Sequence, residues 1–198
     1  AEDMHAMLSR AAENGVREAL VGNMGHIFFA RRAGMRGRGD FGLNVFNSFT
    51  EGVLQQAGLV SATASFELRE AQIRDLAKAV DTAMLVYGRL PCMITEQCII
   101  RNSAGRCNCT VPNNLADRRG ALFPVLPAFG PRNQIFNAHR IYLAAKHEDY
   151  ETAGLWGVRL MFTTETPHEC VAVTQSYQGL TDYRPNGLTR GLYYRGVE

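Results

Sequence analysis

The sequence contains no run of about 18 apolar residues, so nothing in it reads as a membrane-spanning helix. Charge of one sign is equally scarce: 21 Lys and Arg stand against 19 Asp and Glu, a formal charge of +2. That balance points to no strongly electrostatic partner, and no segment reads as a nucleic-acid-binding tail. Familiar hydrolase signatures are missing too. There is no His-Glu-x-x-His pair, His168-Glu169 lacks a second histidine at helical spacing, and no Gly-x-Ser-x-Gly elbow occurs. The five cysteines (Cys92, Cys98, Cys107, Cys109 and Cys170) are odd in number, which argues against a complete disulfide framework.

What is present suits a globular fold. A chain of 198 residues, 46% hydrophobic and 20% charged, can bury a real core in one domain with a small appendage. It begins Ala1-Glu2-Asp3, already inside a helical pattern and without a basic or apolar leader, which suggests a piece of a longer chain. Four of the five cysteines crowd into the 18 residues from Cys92 to Cys109. Such crowding looks like metal ligation or reactive thiols rather than secretory stapling, and it points to a reducing, cytoplasmic compartment.

The first ninety or so residues alternate regularly. Met4, Met7, Leu8 and Ala11 form a helical stripe that Asn14-Gly15 ends. Ala19–Gly22 reads as a buried strand, His26–Ala33 as a helix closed by Gly34, and Phe41–Phe46 as a second strand. Ser48 or Thr50 caps the helix towards Gln56. Ser61–Ser65 is a third strand, Glu70–Val80 the clearest helix, and Met84–Tyr87 a fourth strand. The repeat, about 20 residues long, is that of parallel βα units. The expected fold class is α/β: half of a TIM-like (β/α) barrel over residues 1–110, then a mixed α+β appendage over 111–198. The rest of a longer chain, or a second copy, would complete the barrel.

Past Cys109 the rhythm changes. Ala121–Leu126 reads as a strand that Pro124 assigns to an edge. Val158–Thr163 alternates as a strand, and Thr166-Pro167 opens a helix that Gln178-Gly179 ends. The tail from Thr189 to Gly196 is aromatic and basic, with Leu192 and Tyr193 able to dock on the body.

In parallel βα architectures the loops at the carboxyl ends of the strands collect the reactive groups. Here those loops carry Asn23 and His26, then Asn44, Asn47 and Ser48, then Ser65 and Glu67, then Tyr87, Arg89 and the cysteines. His26, Glu67 and Arg89 are the candidate catalytic residues; Asn23, Asn47 and Tyr87 are the candidate cofactor-binding residues. Glu67 suits a general base, and Cys98 with His26 is the best available thiol–imidazole pair. Arg31, Arg32, Arg36 and Arg38 read as a solvated loop ahead of the second strand, with RNA phosphates as the alternative partner.

Several segments, in order along nearly the whole chain, resemble peptidase family U32, the collagenase-like proteases. They are Val21–His26, Gly39–Ser48, Ser65–Leu68, Val86–Pro91, Leu115–Gly120 with Phe123–Val125, and Thr189–Gly191 with Arg195–Val197. The resemblance implies a peptide hydrolase acting on collagen-like substrates. Other branches of the family imply a second picture: a four-cysteine iron–sulfur cluster that serves oxygen-independent hydroxylation of RNA or a quinone precursor. Cys98, Cys107 and Cys109 fall in the matching stretch, where the expected fourth cysteine before Arg132 is replaced by Phe129-Gly130-Pro131. Cys92, beside Pro91, is the candidate substitute. Thiolates are soft ligands that suit such clusters or zinc, although Cys98-x8-Cys107-x-Cys109 is not a zinc-ribbon spacing. Two thiols in Cys107-Asn108-Cys109 reach one metal only if the backbone turns sharply, which Asn108 would permit. The alternatives are a disulfide, small buried hydrophobes, or a non-catalytic barrel half used in assembly.

Overall fold

The computed structural model describes residues 2–195. In chain order its helices and strands are α1 (Glu2–Glu13), β1 (Glu18–Val21), α2 (Met24–Arg32), β2 (Arg36–Gly39), α3 (Ser48–Gln56), β3 (Leu59–Thr63), α4 (Glu70–Asp75) and β4 (Asp81–Gly88). These are followed by β5 (Pro91–Thr95), α5 (Ile99–Ala104), β6 (Asn113–Ala116), β7 (Leu122–Pro127), β8 (Asn133–Phe136) and β9 (Arg140–Tyr142). The last are α6 (His147–Glu151), β10 (Gly157–Met161), α7 (Pro167–Tyr177) and β11 (Leu188–Thr189). The chain divides into two compact units. One comprises residues up to Leu85, Ala145–Arg159 and the segment from Gly191; the other comprises Val86–Ala144 and Leu160–Arg190. The architecture is mixed α/β, with a mainly parallel sheet and a separate antiparallel one. No helix among the described residues is long and apolar enough to cross a membrane.

In the first unit β1, β2, β3 and the start of β4 lie side by side in sequence order, all parallel. Helices α2, α3 and α4 form the crossovers. Val21, Ile27, Ala30, Val45, Leu54, Leu59 and Ala62 make one buried cluster between strands and helices. Each of the valine, isoleucine and leucine side chains among them contributes roughly 1.5–3 kcal/mol by leaving water. Leu59 and Ala62 reach the same cluster, against simple alternation, because Val60 is an extra residue in β3: Gly37 pairs Leu59 but Arg38 pairs Ser61.

The second strand differs from the sequence expectation. It is Arg36–Gly39, while Phe41–Leu43 is a 3-10 turn and Val45 makes only an isolated bridge to Ala64. Close approach explains the choice. A Cβ on Gly39 would lie 3.2 Å from Ser61 O and 3.3 Å from Ala62 Cα, and one on Gly37 would push aside the tip of Leu59, so glycine at both positions lets the strand lie close against β3. On the other face Arg38 is held by both carboxylate oxygens of Glu18, at 2.6 and 3.0 Å. Arg36 and Arg38 are therefore strand residues paired with Glu18, not part of a solvated loop.

The expected helix Glu70–Val80 stops at Asp75. Side chains of α3 take the following backbone for themselves. Ser48 Oγ accepts the Ala77 N–H, the fully buried Glu51 accepts the Ala79 N–H and the Thr82 hydroxyl, and Gln55 donates to the Ala79 carbonyl. Lys78 then folds back to donate to the Ile73, Arg74 and Leu76 carbonyls, capping the shortened helix. The α3 cap is Asn47, whose side chain accepts the Thr50 N–H, rather than Ser48 or Thr50. The tail docks in this unit: Tyr193 is buried and its hydroxyl donates to Leu85 O at 2.5 Å. Gly196 and Val197, named in the resemblance, lie outside the described residues.

In the second unit Tyr87 and Gly88 of β4 pair antiparallel with β9, which is parallel to β11. The antiparallel sheet runs β5-β8-β7-β6. Strand β7, expected at an edge because of Pro124, is interior. Its registered pairs with β8 begin at Val125, so the missing Pro124 N–H falls just beyond the β8 ladder. Helix α7 starts as expected, with Pro167 in its first turn and a Thr166–Glu169 capping box. Tyr87, Tyr142, Tyr177 and Phe162 form an aromatic cluster with ring centroids 5.4–6.4 Å apart.

Candidate metal centre

Three of the four candidate metal ligands converge. Cys98 is the N-cap of α5, and its sulfur accepts the Arg101 N–H at 3.4 Å. The helix lasts six residues and ends at Gly105, whose φ of 72° turns the chain back towards the helix start. That reversal returns Cys107 and Cys109 to Cys98. Among the described residues Asn44 is the only non-glycine with positive φ.

The sulfurs lie 4.0 Å (Cys98–Cys107), 3.6 Å (Cys98–Cys109) and 3.4 Å (Cys107–Cys109) apart. A disulfide needs about 2.05 Å, and all three thiols are free. Four thiolates set tetrahedrally at about 2.3 Å from one ion are roughly 3.8 Å from each other. The triangle therefore matches three corners of a single metal site. Sulfurs bound to separate irons of a cubane cluster must spread further, because each attaches to a different corner. These three are the only group of His, Cys, Asp or Glu ligand atoms of this kind among the described residues. Cys92 is not in it; it sits exposed on β5, with its thiol directed at Leu90 O at 3.8 Å. Cys170 is a half-buried residue of α7.

The thiols influence one another. The Arg101 N–H holds Cys98 below the ordinary thiol range, against the effect of burial, with the other two sulfurs assisting. Cys107 and Cys98 together push Cys109 upward, burial adds to this, and the Asn133 side chain opposes it. One member of the trio is thus disposed to be a thiolate at the expense of its neighbour, the usual consequence of like groups sharing a site.

Elsewhere in the second unit Tyr87 is fully buried and donates to Glu165 Oε1 at 3.0 Å. Arg140 Nε donates to the same oxygen at 2.7 Å, and the Thr163 and Thr164 N–H groups donate to Oε2 at 2.7 and 3.0 Å. Arg89 donates through Nη1 to the Asn137 and Ala138 carbonyls, and its buried Nε has no partner among the described residues. In the first unit Asn23 caps α2 by accepting the Gly25 N–H at 2.8 Å, as Asn47 caps α3. His26, in the first turn of α2, and Glu67, after β3, are exposed, and no hydrogen bond joins them among the described residues.

Sequence reasoning missed Asn133, Arg140 and Glu165. The Thr163–Pro167 stretch was legible only as a strand end meeting a helix start, and no reading gave Asn133 or Arg140 a role. Nothing local marks either as a partner of residues tens of positions away. Comparison with known proteins adds no relative: no family model, no curated protein and no solved structure matches the chain.

Proposed function

We propose that this chain is a metal-dependent enzyme domain of the U32 type, with Cys98, Cys107 and Cys109 holding its metal. The convergence of those three sulfurs within 4.0 Å carries the reading. Structural zinc sites are closed by four protein ligands, whereas sites that act on substrates keep a position open. Three thiolates without a fourth such group beside them among the described residues fit the second kind. An iron–sulfur cluster serving hydroxylation of RNA or a quinone precursor is the form the resemblance implies. A single iron or zinc ion is the form the present spacing fits without movement. The half-barrel reading draws support from the strand order. Strands β1 to β4 lie parallel in unbroken sequence order, and crossovers of the usual right-handed kind would put α2, α3 and α4 on one face and leave the other to barrel closure.

The test is anaerobic purification followed by iron, zinc and acid-labile sulfide analysis with a visible spectrum. Iron with sulfide supports the cluster enzyme, and one zinc or iron without sulfide supports the mononuclear site. Protein that retains no metal and takes up none on reconstitution overturns the reading.

Peptide hydrolysis, the activity the family name implies, has one feature in its favour. Asn23, His26, Asn47 and Glu67 of the first unit all follow the carboxyl ends of parallel strands, where such folds bind ligands. Cleavage of gelatin or casein by wild type, lost in Glu67→Gln, would support it; an inert wild type would count against it.

A further inference from the structure

Asn133 is the first residue of β8 and is 1% exposed. A carboxamide buried this completely needs partners for both its ends. Its Oδ1 accepts the Ile99 N–H at 2.8 Å, and its Nδ2 donates to Cys109 Sγ at 3.6 Å. The Thr95 hydroxyl fixes the backbone by accepting the Asn133 N–H at 3.1 Å. The partners also fix which way the amide faces. Ile99 N–H can only donate, so the oxygen must meet it and the NH2 is left for sulfur. Ile99 directly follows Cys98. One side chain thus ties the turn presenting Cys98 to the sulfur of Cys109.

We propose that Asn133 is the positioning residue of the three-cysteine centre, holding the start of α5 against Cys109 and placing an N–H dipole on a metal-binding sulfur. The proposal rests on the metal-centre reading above. An N–H···S bond draws charge from the sulfur, so it favours the ionised ligand and makes a bound metal's thiolate harder to oxidise. The backbone N–H of Arg101 does the same for Cys98.

Cobalt(II) is the probe, titrated anaerobically into the full chain while the near-ultraviolet sulfur-to-cobalt charge-transfer bands are followed. Asn133→Leu keeps the branched shape and heavy-atom count, removes both side-chain bonds and cannot ligate. Its expected effects are cobalt affinity about 10–100-fold weaker and charge-transfer bands moved to lower energy, since the freed thiolate is more electron-rich. Thr95→Val removes the backbone anchor and leaves the sulfur bond, so its bands should stay where wild type has them. Asn133→Leu with wild-type affinity and unshifted bands overturns the proposal. If that variant does not fold, cadmium-113-loaded wild type decides by NMR. A scalar coupling between cadmium and the Asn133 side-chain N–H is expected, and its absence overturns the proposal equally. Wild type that binds no cobalt at all is a separate outcome, which removes the metal-centre reading and this one with it.

Discussion

Changing Glu165 to glutamine replaces one oxygen by an NH2 group and removes one charge, yet every neighbour of that carboxylate donates to it. Tyr87 and Arg140 face one oxygen; the Thr163 and Thr164 N–H groups face the other. A glutamine must turn its NH2 either towards Tyr87 and Arg140, where the hydroxyl can accept but the guanidinium cannot, or towards two backbone N–H groups, which cannot accept either. The Glu165 side chain is fully buried and that of Arg140 is 12% exposed, so the substitution leaves a guanidinium with little water to take the lost partner's place. Breaking a buried pair from one side costs about 3–5 kcal/mol. At about 2–4 °C per kcal/mol for a chain of this size, the melting temperature should fall by roughly 6–20 °C. Thermal unfolding followed by circular dichroism at neutral pH measures this. The double variant Glu165→Leu/Arg140→Met should lose markedly less than its two single changes together. If the singles add to within about 0.5 kcal/mol of the double, or Glu165→Gln costs less than about 1 kcal/mol, the account of this network is wrong.

The same carboxylate sets an acid dependence. Burial pushes the Glu165 pKa up, but the Thr163 N–H, Arg140 and Tyr87 outweigh it and hold the group below its ordinary 4.5. A depressed carboxyl pKa contributes stability that is complete above the ordinary value and is lost as pH falls through the depressed one. Stability curves of wild type and Glu165→Gln should therefore converge below about pH 4.5 and stay apart above it; parallel curves would sink the assignment. Among the thiols, Cys98→Ser, Cys107→Ser and Cys109→Ser should each abolish tight cobalt binding, whereas Cys92→Ser and Cys170→Ser should keep it. Retention in any of the first three points to a different ligand set. Two glycines should respond with opposite sign. Gly42→Ala would bring a Cβ within 2.7 Å of Gly22 O and should cost about 1–3 kcal/mol. Gly52→Ala, in open space inside α3, should add roughly 0.5–1 kcal/mol in urea unfolding.

Elements whose reasons are local could be read from the residues alone. Helix α1 carries its apolar stripe and its Asn14-Gly15 stop within one stretch, and α7 carries its Thr-Pro start and Gln-Gly end. The elements misread are those settled by distant partners. Strand β2 is Arg-Gly-Arg-Gly, with no apolar residue to announce it; its glycines lie close against β3, and Glu18 takes up Arg38. Helix α4 has apolar spacing to Val80, but three side chains of α3 claim the backbone that would have continued it. Apolar periodicity reports which face is buried; it carries no information about competition for N–H and C=O groups.

The candidate centre divides along the same line. Residue type and crowding were enough to mark Cys98, Cys107 and Cys109 as candidate ligands together with Cys92, since soft ligands so close in sequence need little chain reversal to meet. They were not enough to separate these three from Cys92, which is nearer to Cys98 along the chain than Cys107 is. The separation comes from backbone geometry. Cys92 lies on an extended strand, where six residues carry it up to about 20 Å from Cys98, while α5 and Gly105 bring Cys107 back across nine. Asn133 was further from reach still, because its bond to Cys109 spans 24 residues and depends on β8 pairing with β5. A thiol cluster closed by a strand from elsewhere in the sheet ties metal binding to the fold of the second unit. Metal loading should therefore raise the unfolding temperature of wild type but not that of Cys109→Ser; equal shifts in both would mean that the ion binds somewhere else.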